Sequence, residues 1–158
     1  MYLHSRSTGT DFVDIIRQNR HRFPTGVVHS FTGTIEEMVQ ICEMDLFIGI
    51  NGCSMKTDEN CEVVKAIPIE KMMVETDCPY CDIRNSHSSA PHVKTKFVQK
   101  DKAKYDPESP DLQVVRGRNE PCTIVQVVEV IAALKGITTR EVADISYANT
   151  LRMFNLID

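Results

Sequence analysis

Four short apolar runs, each followed by a stretch with helical spacing, restrict this chain more than any other feature. Residues 1–4, 26–31, 46–51 and 72–76 read as strands, and the last three are almost continuously apolar. Between them, Thr10 and Asp11 open a helix that carries Phe12, Ile15, Ile16 and Asn19 on one side. Thr34 and Glu37 form a capping box ahead of Ile35, Met38, Val39 and Cys42, while Asp58 caps a helix through Cys61, Val64 and Ile67 that Pro68 ends. Continuous apolar strands alternating with amphipathic helices indicate a parallel sheet with covered faces. After Asp77 the rhythm stops. Residues 82–118 hold Pro91, Pro107 and Pro110 with no clear period, and read as one long basic loop. Helical spacing returns after Pro121 through Ile124, Val127, Val128, Ile131 and Leu134 to Gly136. A second capping box, Thr138 with Glu141, opens a last helix through Val142, Ile145, Ala148 and Phe154.

Length then sets a limit on this α/β pattern. A closed eightfold (β/α) barrel takes about 250 residues, with about 200 a practical minimum. At 158 residues the chain reads as a single unit, residues 1–158, smaller than such a barrel. Eighteen Lys and Arg against 22 Asp and Glu give a net charge of −4, so any attraction for a polyanion must be local. The first residues lack the pattern of a signal or transit peptide, and no apolar run approaches the ~18 residues of a membrane span. Six cysteines in 158 residues fall well below disulfide-scaffold density. The expectation is therefore reduced thiols in an intracellular protein of the nucleus or cytoplasm, with no membrane partner.

In parallel sheets the chemistry gathers just past the carboxyl ends of the strands. His4 ends the first strand, His29 lies near the end of the second and Asp77 follows the fourth. Two imidazoles and a carboxylate on one rim make a mixed N/O donor set for a divalent ion. Such an ion lowers the pKa of a bound water and polarises a phosphoryl or carbonyl oxygen, and Asp77 also suits the role of catalytic base. Each histidine alone more often satisfies a local hydrogen bond; what points to a metal is the three equivalent rim positions together.

The strings around these residues extend the reading. Leu3-His-Ser-Arg6, Gly26-Val-Val-His-Ser-Phe-Thr-Gly33, Glu75-Thr-Asp-Cys-Pro-Tyr80, Arg118-Asn-Glu-Pro121 and Tyr147-Ala-Asn-Thr-Leu-Arg-Met-Phe154 occur in that order. Together they resemble the TatD family of metal-dependent deoxyribonucleases across nearly the whole chain. The resemblance implies a TIM-type (β/α) barrel of the metal-dependent hydrolase superfamily, here a partial, half-length one similar to the family's carboxyl-terminal half. It implies a hydrolase that cuts DNA phosphodiesters, typically from the 3′ end of single strands, with a divalent metal: Mg²⁺ first, then Mn²⁺ or Zn²⁺. His4, His29 and Asp77 match its metal-ligand positions, and Glu75, Asn119 and Glu120 match supporting rim residues. The family's His-x-His pair and an earlier ligating Glu have no match here, so one ion is expected rather than two. The resemblance also implies two unpaired sheet edges and an uncovered barrel interior, which self-association or a partner would cover.

Other features compete for function. Lys94, Lys96 and Lys100, with Phe97 and Tyr105 interleaved, read either as a solvated face or as a track for a DNA backbone; Arg6 and Arg118 read as phosphate clamps or surface ion pairs. Cys78 and Cys81 with His87 and His92 have zinc-like pair spacing, but only five residues separate the pairs. A Cys-x-x-Cys redox site should open a helix, whereas this one opens a loop. The glycines form no dinucleotide or phosphate-loop fingerprint, and there is no Gly-x-Ser-x-Gly elbow. Two further readings stand beside the nuclease: a half-barrel that binds or regulates without catalysis, and a related hydrolase with a non-nucleic substrate.

Overall fold

The structure, a computed structural model, describes residues 1–6 and 8–156; Ser7 and the last two positions of the expected 1–158 unit lie outside them. Four parallel strands form one sheet in the order β1 (Tyr2–His4), β2 (Val27–His29), β3 (Phe47–Ile50) and β4 (Met72–Val74). Three crossover helices join them: α1 (Asp11–Asn19), α2 (Ile35–Glu43) and α3 (Asp58–Ala66). A strand, then a helix, then the neighbouring parallel strand is the repeat the apolar runs predict. Among the described residues the sheet does not close, and β1 and β4 are its edges.

Pleating divides the apolar runs between two faces. Leu3, Val28, Ile48 and Met72 are matched across the strands and face the main core, which the helices complete with Ile41, Val64, Val130 and Ile131. The opposite face holds Tyr2, Val27, Phe47 and Met73, with His4 and His29 nearer the carboxyl ends. Its lower layer is less open than chain length alone suggests. Met153, near the end of the last helix, packs with Val27, Phe47 and Met73, all of them buried. On the β1 side this face is open, with Tyr2 58% exposed.

Several boundaries differ from the sequence reading, each for a local reason. The third helix is capped by Thr57, whose hydroxyl accepts from Asn60 N–H, and Asp58 is its first residue. On α1 the buried residues are Val13 and Ile16 while Ile15 is exposed, because the helix is rotated relative to the face chosen from spacing. Ile35 and Val39 of α2 are likewise exposed, and Met38 and Ile41 are buried. Segment 82–118 is not structureless: it contains a two-stranded parallel pair, β5 (Val98–Lys100) with β6 (Gln113–Val115). Strands of three residues are too short to leave a period in the sequence.

The remaining helices, α4 (Ile124–Lys135) and α5 (Thr139–Phe154), brace the sheet from its β4 side. Gly136 ends α4 at φ 67°, a left-handed turn that glycine adopts without strain. Asn149 of α5 is buried and donates both amide hydrogens, to Ile69 C=O at 2.9 Å and Met72 C=O at 2.8 Å. Those bonds satisfy the Met72 carbonyl at the edge of β4 and add a second donor at Ile69 C=O, which also accepts Met72 N–H. No single helix among the described residues is long and apolar enough to cross a membrane. Replacing Asn149 by Ala leaves the Met72 carbonyl unmet and removes one of the two donors at Ile69 C=O, so urea denaturation is expected to show a loss of about 1–3 kcal/mol. Tyr147→Ala, on the exposed side of the same helix, should change stability by no more than about 0.5 kcal/mol.

Candidate metal centre at the strand rim

Register brings the two histidines together. His4 lies opposite His29 across the β1–β2 pair, and their ring centres are 5.7 Å apart. Glu75, one residue beyond β4, continues the alternation that puts Met73 on the same face. Its carboxylate reaches under the imidazole: His29 Nδ1 is 2.8 Å from Glu75 Oε2, which also accepts Ser30 N–H at 3.1 Å. The Tyr2 hydroxyl lies 2.7 Å from the same Nδ1 and donates to Glu75 Oε1 at 3.4 Å. A carboxylate only accepts, so Nδ1 carries the proton and Nε2 is left free at the rim. Glycine at position 49 is required by this arrangement, since any Cβ there would collide with the Glu75 carboxyl group.

Both His29 and Glu75 are largely enclosed, with side chains 13% and 12% exposed. Burial pushes the Glu75 carboxyl above its ordinary range, opposed by the His29 imidazole against it and by Ser30 N–H. Burial, then the neighbouring Glu75 charge, pushes the Tyr2 hydroxyl up to about 12, so it remains a donor.

The other imidazole nitrogen faces Asp77. His29 Nε2 and Asp77 Oδ1 are 3.3 Å apart, and the Asp77 side chain is 33% exposed. An unprotonated imidazole nitrogen and a carboxylate oxygen repel at that distance unless a cation, either a proton or a metal ion, lies between them. The backbone supports the approach at some cost. Ser30 and Asp77 both adopt left-handed conformations, φ 53° and 52°, each of which costs roughly 1 kcal/mol or more. Asn51 donates to Ser30 Oγ at 2.9 Å. Asn119, buried, donates to Thr76 C=O at 2.8 Å and Tyr80 C=O at 2.6 Å, clamping the chain on either side of Asp77.

Two imidazoles and a carboxylate are a donor set that a divalent ion accepts. Two imidazoles on a common ion place their ring centres roughly 5–6 Å apart, which the 5.7 Å separation of His4 and His29 matches. Among the described residues no three His, Cys, Asp or Glu side chains already stand as a closed ligand cluster. His29 and Asp77 are in contact, and His4 flanks them on the neighbouring strand.

The other expected residues divide. Arg6 lines a cleft of about 540 Å³ together with His4, Asp77, Tyr80 and Cys81, and so does Lys56, which the sequence reading did not single out. Glu120 accepts from Val115 N–H at 2.9 Å and from Arg118 at 3.0 Å, so it ties down the returning end of the loop. Arg118 is thereby an ion pair and does not line the cleft, and neither do Lys94, Lys96 or Lys100. The segment around Lys94 is instead held to α4, where Glu129 accepts Lys94 N–H and Thr95 N–H. Cys78, Cys81, His87 and His92 form no zinc cluster, and all six cysteines are unpaired. Of the missed residues, Tyr2 was recoverable: two positions before His4 on a strand places it on the same face.

A model of the TatD related DNase family matches residues 1–155. The chain is 44% identical over 160 residues to a Schizosaccharomyces pombe protein named deoxyribonuclease Tat-D, covering 98% of this chain and 49% of that one. It is 28% identical to an Erwinia tasmaniensis protein named 3′-5′ ssDNA/RNA exonuclease TatD, covering 99% of this chain and 52% of the relative. A crystal structure of a TatD family hydrolase from Entamoeba histolytica superposes with a TM-score of 0.88 at 33% identity, covering 97% of this chain and 50% of the other. The chain thus spans about half the length of the relatives it matches.

A raised carboxyl pKa means that the unfolded chain releases the Glu75 proton first. The ionised form therefore subtracts from stability as pH rises through the carboxylate range. Glu75→Gln, which keeps an acceptor without the charge, should make the metal-free protein more stable than the parent at pH 7. That advantage should shrink at pH 4, as read by urea unfolding at both values.

Proposed function

This chain belongs to the TatD related DNase family, and from that premise we propose that its rim serves metal-dependent hydrolysis of DNA phosphodiesters, on single strands from the 3′ end. The observation that carries the reading is the held imidazole, with Nδ1 against Glu75 and Nε2 facing Asp77. His29 Nε2, the Asp77 carboxylate and His4 would hold one divalent ion, Mg²⁺ foremost. Bound there, the ion would lower the pKa of a water and polarise a phosphoryl oxygen.

The chain's own residues supply orientation and charge. Glu75 and Tyr2 fix the ring of His29, and Asn119 fixes the turn that presents Asp77. The Asp77 carboxylate is the acceptor at hand for a proton leaving the attacking water. Arg6 and Lys56, on the cleft wall, would meet the substrate phosphates that a net charge of −4 otherwise repels. The basic segment with Lys94, Lys96 and Lys100 would track the strand further from the cleft. Relatives named as acting on DNA, or on single-stranded DNA and RNA, support this substrate class. The unpaired β1 and β4 edges favour a second reading, in which the chain binds through its half-sheet without cleaving and a partner or second copy covers the edges.

Single-stranded oligonucleotide should be shortened in the presence of Mg²⁺ or Mn²⁺ and not in EDTA. His29→Ala and Asp77→Ala should each lower the rate by about 100-fold or more. Binding without cation-dependent cleavage by the parent would select the second reading. A Lys94, Lys96 and Lys100 triple alanine variant should flatten the salt dependence of single-strand binding, by about 0.7 in log–log slope for each phosphate that is no longer neutralised.

A further inference from the structure

We propose that Cys81 is a positioning residue for Asp77, its thiol holding one carboxylate oxygen so that the other faces His29 and a bound cation. The inference deepens the metal-site reading above and rests on it. Cys81 Sγ donates to Asp77 Oδ2 at 3.4 Å, while Oδ1 is 3.3 Å from His29 Nε2. The two oxygens thus have different partners. Among the described residues no other group donates to Oδ2.

The backbone around both residues holds this contact in place. Asp77 C=O accepts Tyr80 N–H at 2.9 Å, closing a tight turn, and Asp77 and Cys81 both lie in the left-handed region at φ 52° and 58°. Asn119 holds Tyr80 C=O from outside. On the inner side, the Cys81 carbonyl packs so tightly against Gly52 that a Cβ there would overlap it. The thiol therefore has a fixed base from which to reach the carboxylate. Such residues behind a metal ligand set its orientation, and their loss typically weakens metal binding 10- to 100-fold.

The contact is a hydrogen bond from Sγ to the Asp77 oxygen that does not face His29, which distinguishes the assignment from a thiolate metal site built on the same cleft cysteines.

Calorimetric titration of the full chain with Mn²⁺ tests the assignment. Cys81→Ala should weaken Mn²⁺ binding about 10- to 100-fold while leaving the melting temperature of the metal-free protein close to that of the parent. Cys81→Ser, which restores an O–H donor, should bind within about threefold of the parent. Parent-like binding by Cys81→Ala, or a Cys81→Ser variant as weak as Cys81→Ala, would overturn the positioning role. If Asp77→Ala binds Mn²⁺ like the parent, or the parent binds none, the metal-site reading itself fails. Absorption spectra with Co²⁺ give an independent arm that needs only the parent and Cys81→Ser. The absence of a thiolate-to-cobalt charge-transfer band is expected, and a band that Cys81→Ser removes would make Cys81 a ligand and overturn the proposal.

Discussion

A carboxylate buried against an imidazole organises the rim of this half-sheet. Glu75 can lie beneath His29 only because position 49 is glycine and the neighbouring strand leaves a gap there. Its burial is unfavourable for the charged form, and the compensation comes from three donors: His29 Nδ1, Ser30 N–H and the Tyr2 hydroxyl. Each of those groups is itself fixed by the same contact. Remove the carboxylate and the ring of His29 loses its orientation, Tyr2 loses its acceptor, and Ser30 loses a reason to sit at a positive φ. Local stability is spent to leave one imidazole nitrogen free and aimed.

What surrounds this contact serves to hold it. The strand pairs supply the register that sets His4 beside His29. Asn119 reaches back across the whole loop between β4 and α4 to clamp the turn that carries Asp77. Asn149 does the corresponding work at the other end of β4, where α5 takes over the bonding of an edge strand. Two buried asparagines thus anchor the ends of one strand, and both lie outside the four strand units that form the sheet. The rim residues come from β1, β2 and the segment after β4, so the proposed metal site depends on the sheet keeping its order.

Much of this was legible in the amino-acid sequence, for a physical reason. Apolar runs report burial on both sides of a parallel strand, so the four strands of the main sheet and the helices α1 to α5 could be placed. His4, His29 and Asp77 follow from where those strands end. The capping boxes at Thr34 and Thr138 are local hydrogen-bonding patterns and could also be read directly. Contacts between distant segments could not. Nothing near Asn119 indicates that its amide closes a turn some forty residues earlier, and nothing near Cys81 indicates that its thiol faces the Asp77 carboxylate. The basic run misled in the opposite sense: charge density is visible in sequence, but the anchoring of that segment by Glu129 is not, and none of Lys94, Lys96 and Lys100 lines the cleft. The β5–β6 pair escaped because three-residue strands carry no period.

The central claim is that His29 is held by its Nδ1 so that Nε2 is the nitrogen a metal ion meets. Long-range ¹H–¹⁵N correlation spectra of the imidazole, recorded during titration with diamagnetic Zn²⁺, address it directly. Nδ1 is expected to stay protonated throughout, while the Nε2 resonance alone moves on metal addition. A proton resident on Nε2 in the metal-loaded protein, or His29 nitrogens that do not respond to the metal, would contradict it.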